Sequence, residues 1–386
     1  RVCCFLGCRL WDKNGKEYLD FIGGHGSLNL GHCHPKILSA MQDQMCTLHQ
    51  TTRSINNNIL PEFCQTACQM FNYDRICVMS TGSEACELGV KLARKWGYTV
   101  KKICPKDAIV VFASGNFWGC SIAAISSSSD PLLFGGFQPL LSGLKIIPYN
   151  DACSLEDALK NPNVCGFMIE PIQSEAGVLM PSDGYLAEVR RLCTQNKVLW
   201  ISNEVMTGLG RTGAMLGVDH ECVKPDILTL GRSLGGGVMP LSATLASCEI
   251  MDLLVPGSHG STFAGNALAA RAGSVCLKTI KEEGLAENAQ SMGALLRDAL
   301  LCSLTKDDMP ILRGRGLLYA LKIDPRIGSP CEICDALRDC GLLVWPCRDE
   351  FLRLTPPLLV TEDEITQAVG IIKKVIDFMK GCHKVC

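Results

Sequence analysis

The chain has 386 residues, 47% hydrophobic and 20% charged, with a formal net charge of −2. That much apolar material builds a sizeable core and excludes intrinsic disorder, and the length suits one large and one small domain. With no long basic run and no uninterrupted apolar stretch of about 18 residues, neither nucleic acid nor a lipid bilayer is the expected partner.

Taken in chain order, short apolar runs alternate with helical patterns, which predicts a mostly parallel sheet covered by helices, an α/β fold. Strands are expected at 108–113, 166–170, 198–202, 226–230 and 242–246, as runs apolar enough to be buried on both faces. Helices are expected at 84–96, with Leu88 and Leu92 on one face, at 185–195 and at 266–283. After Gly284 the texture changes to a helix at 285–301, strands at 316–323, 342–346 and 351–355, and a final helix from Thr361 to Lys380. Thr361 and Glu364 have the spacing of a capping box, and Ile365, Val369, Ile372 and Ile376 form the apolar stripe. The domain reading is an N-terminal segment at 1–35 packing near the small domain, a large domain at 36–284 and a small α+β domain at 285–386.

The 24 cysteines are scattered along the chain. In so long a chain they are expected to be reduced thiols buried as small hydrophobes. Cys331 and Cys334 form the only C-x-x-C pair, and with Cys340 and Cys347 downstream a metal site stays open as an alternative, although none is expected.

Five segments have the look of ligand loops. The run Ser80-Thr81-Gly82-Ser83-Glu84-Ala85 opens a helix, where free N–H groups can receive a phosphate or simply be capped. Gly115-Asn116-Phe117-Trp118-Gly119 follows a strand, and an aromatic there can cover a flat ring or pack the loop onto the core. Ile201 to Val205, Leu230 to Gly237 and His259 to Asn266 are further loops with good turn chemistry.

In their order and spacing these segments resemble the class III aminotransferases that use pyridoxal phosphate (PLP), within them the ornithine aminotransferases. The likeness extends over essentially the whole chain and is carried also by Gly31-His32-Cys33-His34-Pro35, Lys91 to Tyr98, Glu170-Pro171-Ile172-Gln173, Glu175 to Val178 and His259 to Thr262. It implies fold type I, a PLP cofactor, a homodimer with its sites at the interface, and a mitochondrial matrix location. Gly82 and Ser83 would hold the cofactor phosphate together with Thr262 of a second copy; Phe117 would stack on the ring, and Val205 and Met206 would lie beside it. Glu175 and Arg353 would face substrate, the arginine gripping a carboxylate with its planar fork.

The resemblance fails at the reacting centre. Arg232 stands where the family has the Schiff-base lysine, Asn203 where it has the aspartate that keeps the pyridine nitrogen protonated, and Met206 where it has a glutamine. Cys120 replaces an arginine used for substrate, and His25 and Asn56 stand where tyrosines line the substrate pocket. A guanidinium stays protonated and cannot attack an aldehyde. The leading expectation is therefore a catalytically impaired or inactive homologue, with PLP non-covalent and weak if bound. It would act alone as a homodimer or paired with an active homologue. A working ornithine aminotransferase and a purely structural protein are the alternatives.

Overall fold

A computed structural model describes residues 2–52, 54–348 and 350–382, with the side chains of 2–5 and 382 set aside. Its centre is a seven-stranded sheet formed by Arg75–Met79 (β1), Ile109–Ala113 (β2), Leu144–Ile147 (β3), Val164–Ile169 (β4), Leu199–Asn203 (β5), Ile227–Leu230 (β6) and Ser242–Ala246 (β7). The spatial order is β1-β7-β6-β5-β4-β2-β3. All neighbours run parallel except β7, which is antiparallel to both β1 and β6.

Successive residues of one strand enter opposite cores. In β2, Val111 and Ala113 join the larger cluster while Val110 and Phe112 face the helix Gly82–Thr99 through Leu88 and Leu92. Burial on both sides is why these strands read as continuous apolar runs. The five expected strands form within two residues of the expected bounds. The two not anticipated are β1 and β3, the sheet edges. Arg75 at the start of β1 and Lys145 in β3 are exposed, so neither run is uniformly apolar.

The helix expected at 84–96 starts earlier, at Gly82, because Thr81 and Glu84 form a reciprocal capping box. The helix Tyr185–Gln195 matches its expected bounds, and Ala267–Glu282 and Leu285–Ser303 come close to theirs. The last helix is Glu362–Cys382. Glu364 N–H donates to Thr361 Oγ1 at 3.3 Å, and Ile365, Val369, Ile372 and Ile376 are buried.

The strand expected at 342–346 divides between two sheets. Leu342–Leu343 pairs in parallel with Glu17–Asp20, at the edge of a sheet that also holds Arg9–Asp12 and Val2–Leu6. Trp345–Cys347 pairs with Phe351–Leu354, which continues to Leu318–Lys322 and Ile311–Arg315 in an antiparallel sheet. Val344 between them carries the chain from one sheet to the other, so the N-terminal segment and the C-terminal part share backbone pairing.

The thiols correct a sequence expectation. Of the 20 described cysteines ten are exposed, among them Cys33, Cys120, Cys331 and Cys340, and only six are buried. Burial as small hydrophobes accounts for Cys8, Cys86, Cys165, Cys193, Cys276 and Cys347 alone. Among the described residues no group of three or more His, Cys, Asp or Glu is placed to hold a metal ion, and no helix is long and apolar enough to cross a membrane.

Candidate active site

Four of the five ligand-like segments leave the carboxyl ends of parallel strands or precede a helix beside them, and that edge of an open α/β sheet is where ligands bind. They line one cavity of about 200 Å³, bounded by Gly82, Ser83, Phe117, Trp118, Gly119, Glu170, Ser174, Glu175, Asn203, Val205, Met206 and Arg232. Eight of the thirteen residues singled out from sequence are in that wall.

The cavity is lined with glycine because its loops nearly touch. A Cβ on Gly82 would meet Val205 Cγ1 at 2.7 Å, and one on Gly119 would meet Ser83 Oγ at 2.0 Å. At the helix start, Thr81 accepts from the N–H groups of Glu84 and Ala85. The N–H groups of Gly82 and Ser83 have no acceptor among the described residues and sit at the positive end of an 18-residue helix.

Asn203 ends β5 and is buried. Its side chain donates to the Phe117 carbonyl at 3.2 Å and accepts from Val205 N–H at 3.2 Å, so the amide fixes both loops. Across the Phe117 peptide, Glu170 accepts from Phe117 N–H at 2.9 Å. Burial outweighs that bond and pushes the Glu170 carboxyl up to about 8, so it is mostly protonated at neutral pH.

Arg232 has a left-handed backbone at φ 50°, unusual for a side chain of that size. Its guanidinium donates to the His25 carbonyl and lies 3.8 Å from Glu175 Oε1. The same carboxylate oxygen is 2.7 Å from Arg353, which is 2% exposed and also donates to Ser174 Oγ at 3.2 Å. Burial holds the Arg232 group below its ordinary value, with Glu175 opposing. The guanidinium nevertheless remains a cation, since its reference value lies several units above neutrality.

Arg353 and His25 thus adjoin the cavity through Glu175 and Arg232. His25 also has a left-handed backbone and meets Trp345 edge-on at 4.7 Å. Cys120, one residue past Gly119, is exposed. Asn56 lines a different surface cavity with Cys64, Cys77 and Gly265, and Thr262 is exposed with its carbonyl accepting from Gln50 at 2.5 Å. This chain does not bring Asn56, Cys120 or Thr262 to the cavity.

Sequence reading did not single out Glu170, Ser174, Trp118 or Gly119 as site residues. Glu170 left a signal, as the first charged residue after the wholly buried β4. Trp118 lies in the aromatic loop noted from sequence, and of the two roles open there it has the packing one: its ring stacks on Phe112 and its indole donates to Ser127 Oγ.

Comparison with known proteins identifies the family. The model of the family described as aminotransferase class-III matches residues 5–376. The chain belongs to the class III aminotransferases. The mitochondrial ornithine aminotransferase of Rattus norvegicus is 49% identical over 373 residues, covering 96% of this chain and 84% of that protein. That of Drosophila melanogaster is 45% identical over 370 residues, covering 96% and 85%. An ornithine aminotransferase structure from Toxoplasma gondii, crystallised with oxidised glutathione and showing partial occupancy of PLP, superposes with a TM-score of 0.97. It is 42% identical and covers 99% of this chain and 91% of that one. This class III aminotransferase therefore has fold type I, with a mostly parallel mixed sheet.

Proposed function

We propose that this chain is an ornithine aminotransferase homologue that holds PLP without a covalent anchor and does not transaminate. The observation that carries the reading is Arg232 in the cavity wall, held by the His25 carbonyl and Glu175, with no lysine among the lining residues.

The donor set suits PLP in two places and not in a third. The glycine cradle with the free Gly82 and Ser83 N–H groups would hold the phosphate, and Phe117, Val205 and Met206 would enclose the ring. In an aminotransferase the bound cofactor supplies an electron sink for charge left on the substrate carbon. Here Asn203 can offer the ring nitrogen a neutral hydrogen bond only, and no charge to keep it protonated. Arg232 holds its proton and so neither attacks an aldehyde nor relays a proton. Loss of a positioned acid/base alone costs about 10²- to 10⁴-fold in rate.

Asn56 and Thr262, exposed on their own chain, suit a homodimer in which a second copy presents them, or a mixed dimer with an active homologue. The mitochondrial relatives support a matrix location. The second reading, an active ornithine aminotransferase, is favoured by the 49% identity over nearly the whole chain.

Assay of the purified protein with PLP, ornithine and 2-oxoglutarate separates the readings. Semialdehyde formation at background rates in the wild type, with a gain on the double change Arg232→Lys and Asn203→Asp, is the expected result. A wild-type rate well above background and matching that of the double variant means that the proposal is wrong and the second reading holds.

A further inference from the structure

The C-x-x-C pair has no part in the cavity chemistry. Cys331 and Cys334 lie in the first turn and a half of the helix Pro330–Asp339, which Ser329 and Glu332 close with a reciprocal capping box. Cys331, at the second helical position, is exposed, and Cys334 is half-buried. Burial, then the neighbouring Cys331 thiol, pushes the Cys334 thiol up to about 12. Both line a cavity of about 400 Å³ with Arg338, Leu343 and Trp345 in its wall.

We infer that Cys331 and Cys334 form a thiol–disulfide exchange site whose substrate is an aliphatic disulfide. Side chains three apart on a helix have Cβ atoms roughly 5–6 Å from each other. A disulfide needs about 3.5–4.5 Å. Tightening of the first turn towards a three-residue repeat closes that gap, and helix starts accommodate such a turn. Leu343 and Trp345 provide an apolar wall for the disulfide's methylene groups. Arg338 is already paired with Asp335 and Asp339 of the same helix, so the wall binds a substrate through its apolar side and not through a cation.

The exposed thiol reacts first. Cys331 loses its proton and its sulfur attacks one sulfur of the disulfide RSSR, breaking the S–S bond, joining Cys331 to R through sulfur and releasing RS⁻, which takes up the proton. The Cys334 sulfur, on losing its own proton, then attacks Cys331, closing the internal disulfide and expelling the second RS⁻, which that proton neutralises. In sum the dithiol is oxidised by two electrons and RSSR is reduced to two RSH. The inference is independent of PLP.

The test uses the full chain and excess oxidised glutathione, followed by alkylation of free thiols and peptide mass mapping. The expected map shows Cys331 bonded to Cys334, two hydrogens lighter, and Cys334→Ser stops with glutathione on Cys331. Cys340, exposed at the other end of the same helix, is the internal control. The wild-type map decides the matter even if the variant fails to fold. Cys331 remaining free while Cys340 is modified would overturn the inference. So would a glutathione adduct on Cys331 that never passes to Cys334.

Discussion

A guanidinium and an amine carry the same charge at neutral pH and differ in how readily they give it up. At 232 that difference separates a residue that can bond to an aldehyde from one that can only pair with carboxylates and carbonyls. Glu175 has become the shared partner of two arginines, at 2.7 and 3.8 Å. Arg353 is almost wholly buried, so its bond to Glu175 is a charge-assisted one shielded from water on one side. A double-mutant cycle of Arg353→Met and Glu175→Gln, read by urea unfolding, should give a coupling of about 1.5–3 kcal/mol. A coupling near zero would mean that Arg232 or solvent already replaces Arg353.

Glu170 offers a second measurement at this scale. Its folded-state value of about 8 lies above the ordinary carboxylate value of 4.5, with burial as the main cause. The folded state therefore binds the proton more tightly than the unfolded state. Its stabilisation is complete below about 4.5 and is lost as pH rises through about 8. Thermal midpoints should be lower at pH 8.5 than at pH 6, and Glu170→Gln should flatten that dependence. Some slope should remain from Glu204, pushed up to about 7 by burial. An unchanged pH profile in Glu170→Gln would show the carboxyl to be already ionised.

At the scale of elements, the cavity depends on loops that approach without side chains between them. Gly119 has a left-handed φ of 137°, and a Cβ there would meet Ser83 Oγ at 2.0 Å. Gly119→Ala must displace the start of the helix Gly82–Thr99, costing about 1–3 kcal/mol in overpacking. It should also weaken binding of the PLP phosphate, measured by equilibrium titration; unaltered affinity would separate the loop from the phosphate site. Element legibility in the sequence followed burial. The strands with cores on both faces read clearly as apolar runs, and the capping box at Thr361 marks a helix start through its spacing, whereas the one at Thr81 went unread and the helix was expected two residues late. The edges β1 and β3 did not stand out, since Arg75 and Lys145 face solvent. The division at Val344 was not legible either, because one apolar run serves two sheets and only pairing partners distant in sequence distinguish them.

Over the whole molecule, three parts of the chain are tied together by a buried cation. Arg211 is fully buried, donating to the carbonyls of Leu317 and Pro356 and, at 2.7 Å, to Asn29 Oδ1. It thereby joins the N-terminal segment, the large-domain loop and the C-terminal part. Arg211→Met leaves those three acceptors without their donor and should cost several kcal/mol, at roughly 1–3 kcal/mol per unsatisfied group. A calorimetric scan should then show the C-terminal part unfolding ahead of the rest; one unshifted transition would contradict this. At this scale the sequence reported the family through its motifs, and the loops at strand ends located most of the cavity. The resemblance assigned Thr262 to a second copy's site, but nothing in the sequence reported that Asn56 lies outside the cavity of its own chain, because local patterning does not say which cavity a loop residue lines.

On the proposed reading, residue 232 decides whether the cofactor can be covalently held. The direct measurement is the intact mass of the protein after incubation with PLP, reduction with borohydride and denaturation. The wild-type chain is expected to retain no cofactor. The variant carrying Arg232→Lys and Asn203→Asp is expected to retain one equivalent, with peptide mapping placing it on the introduced lysine. A reduced cofactor attached in one equivalent to the wild-type chain would contradict that reading.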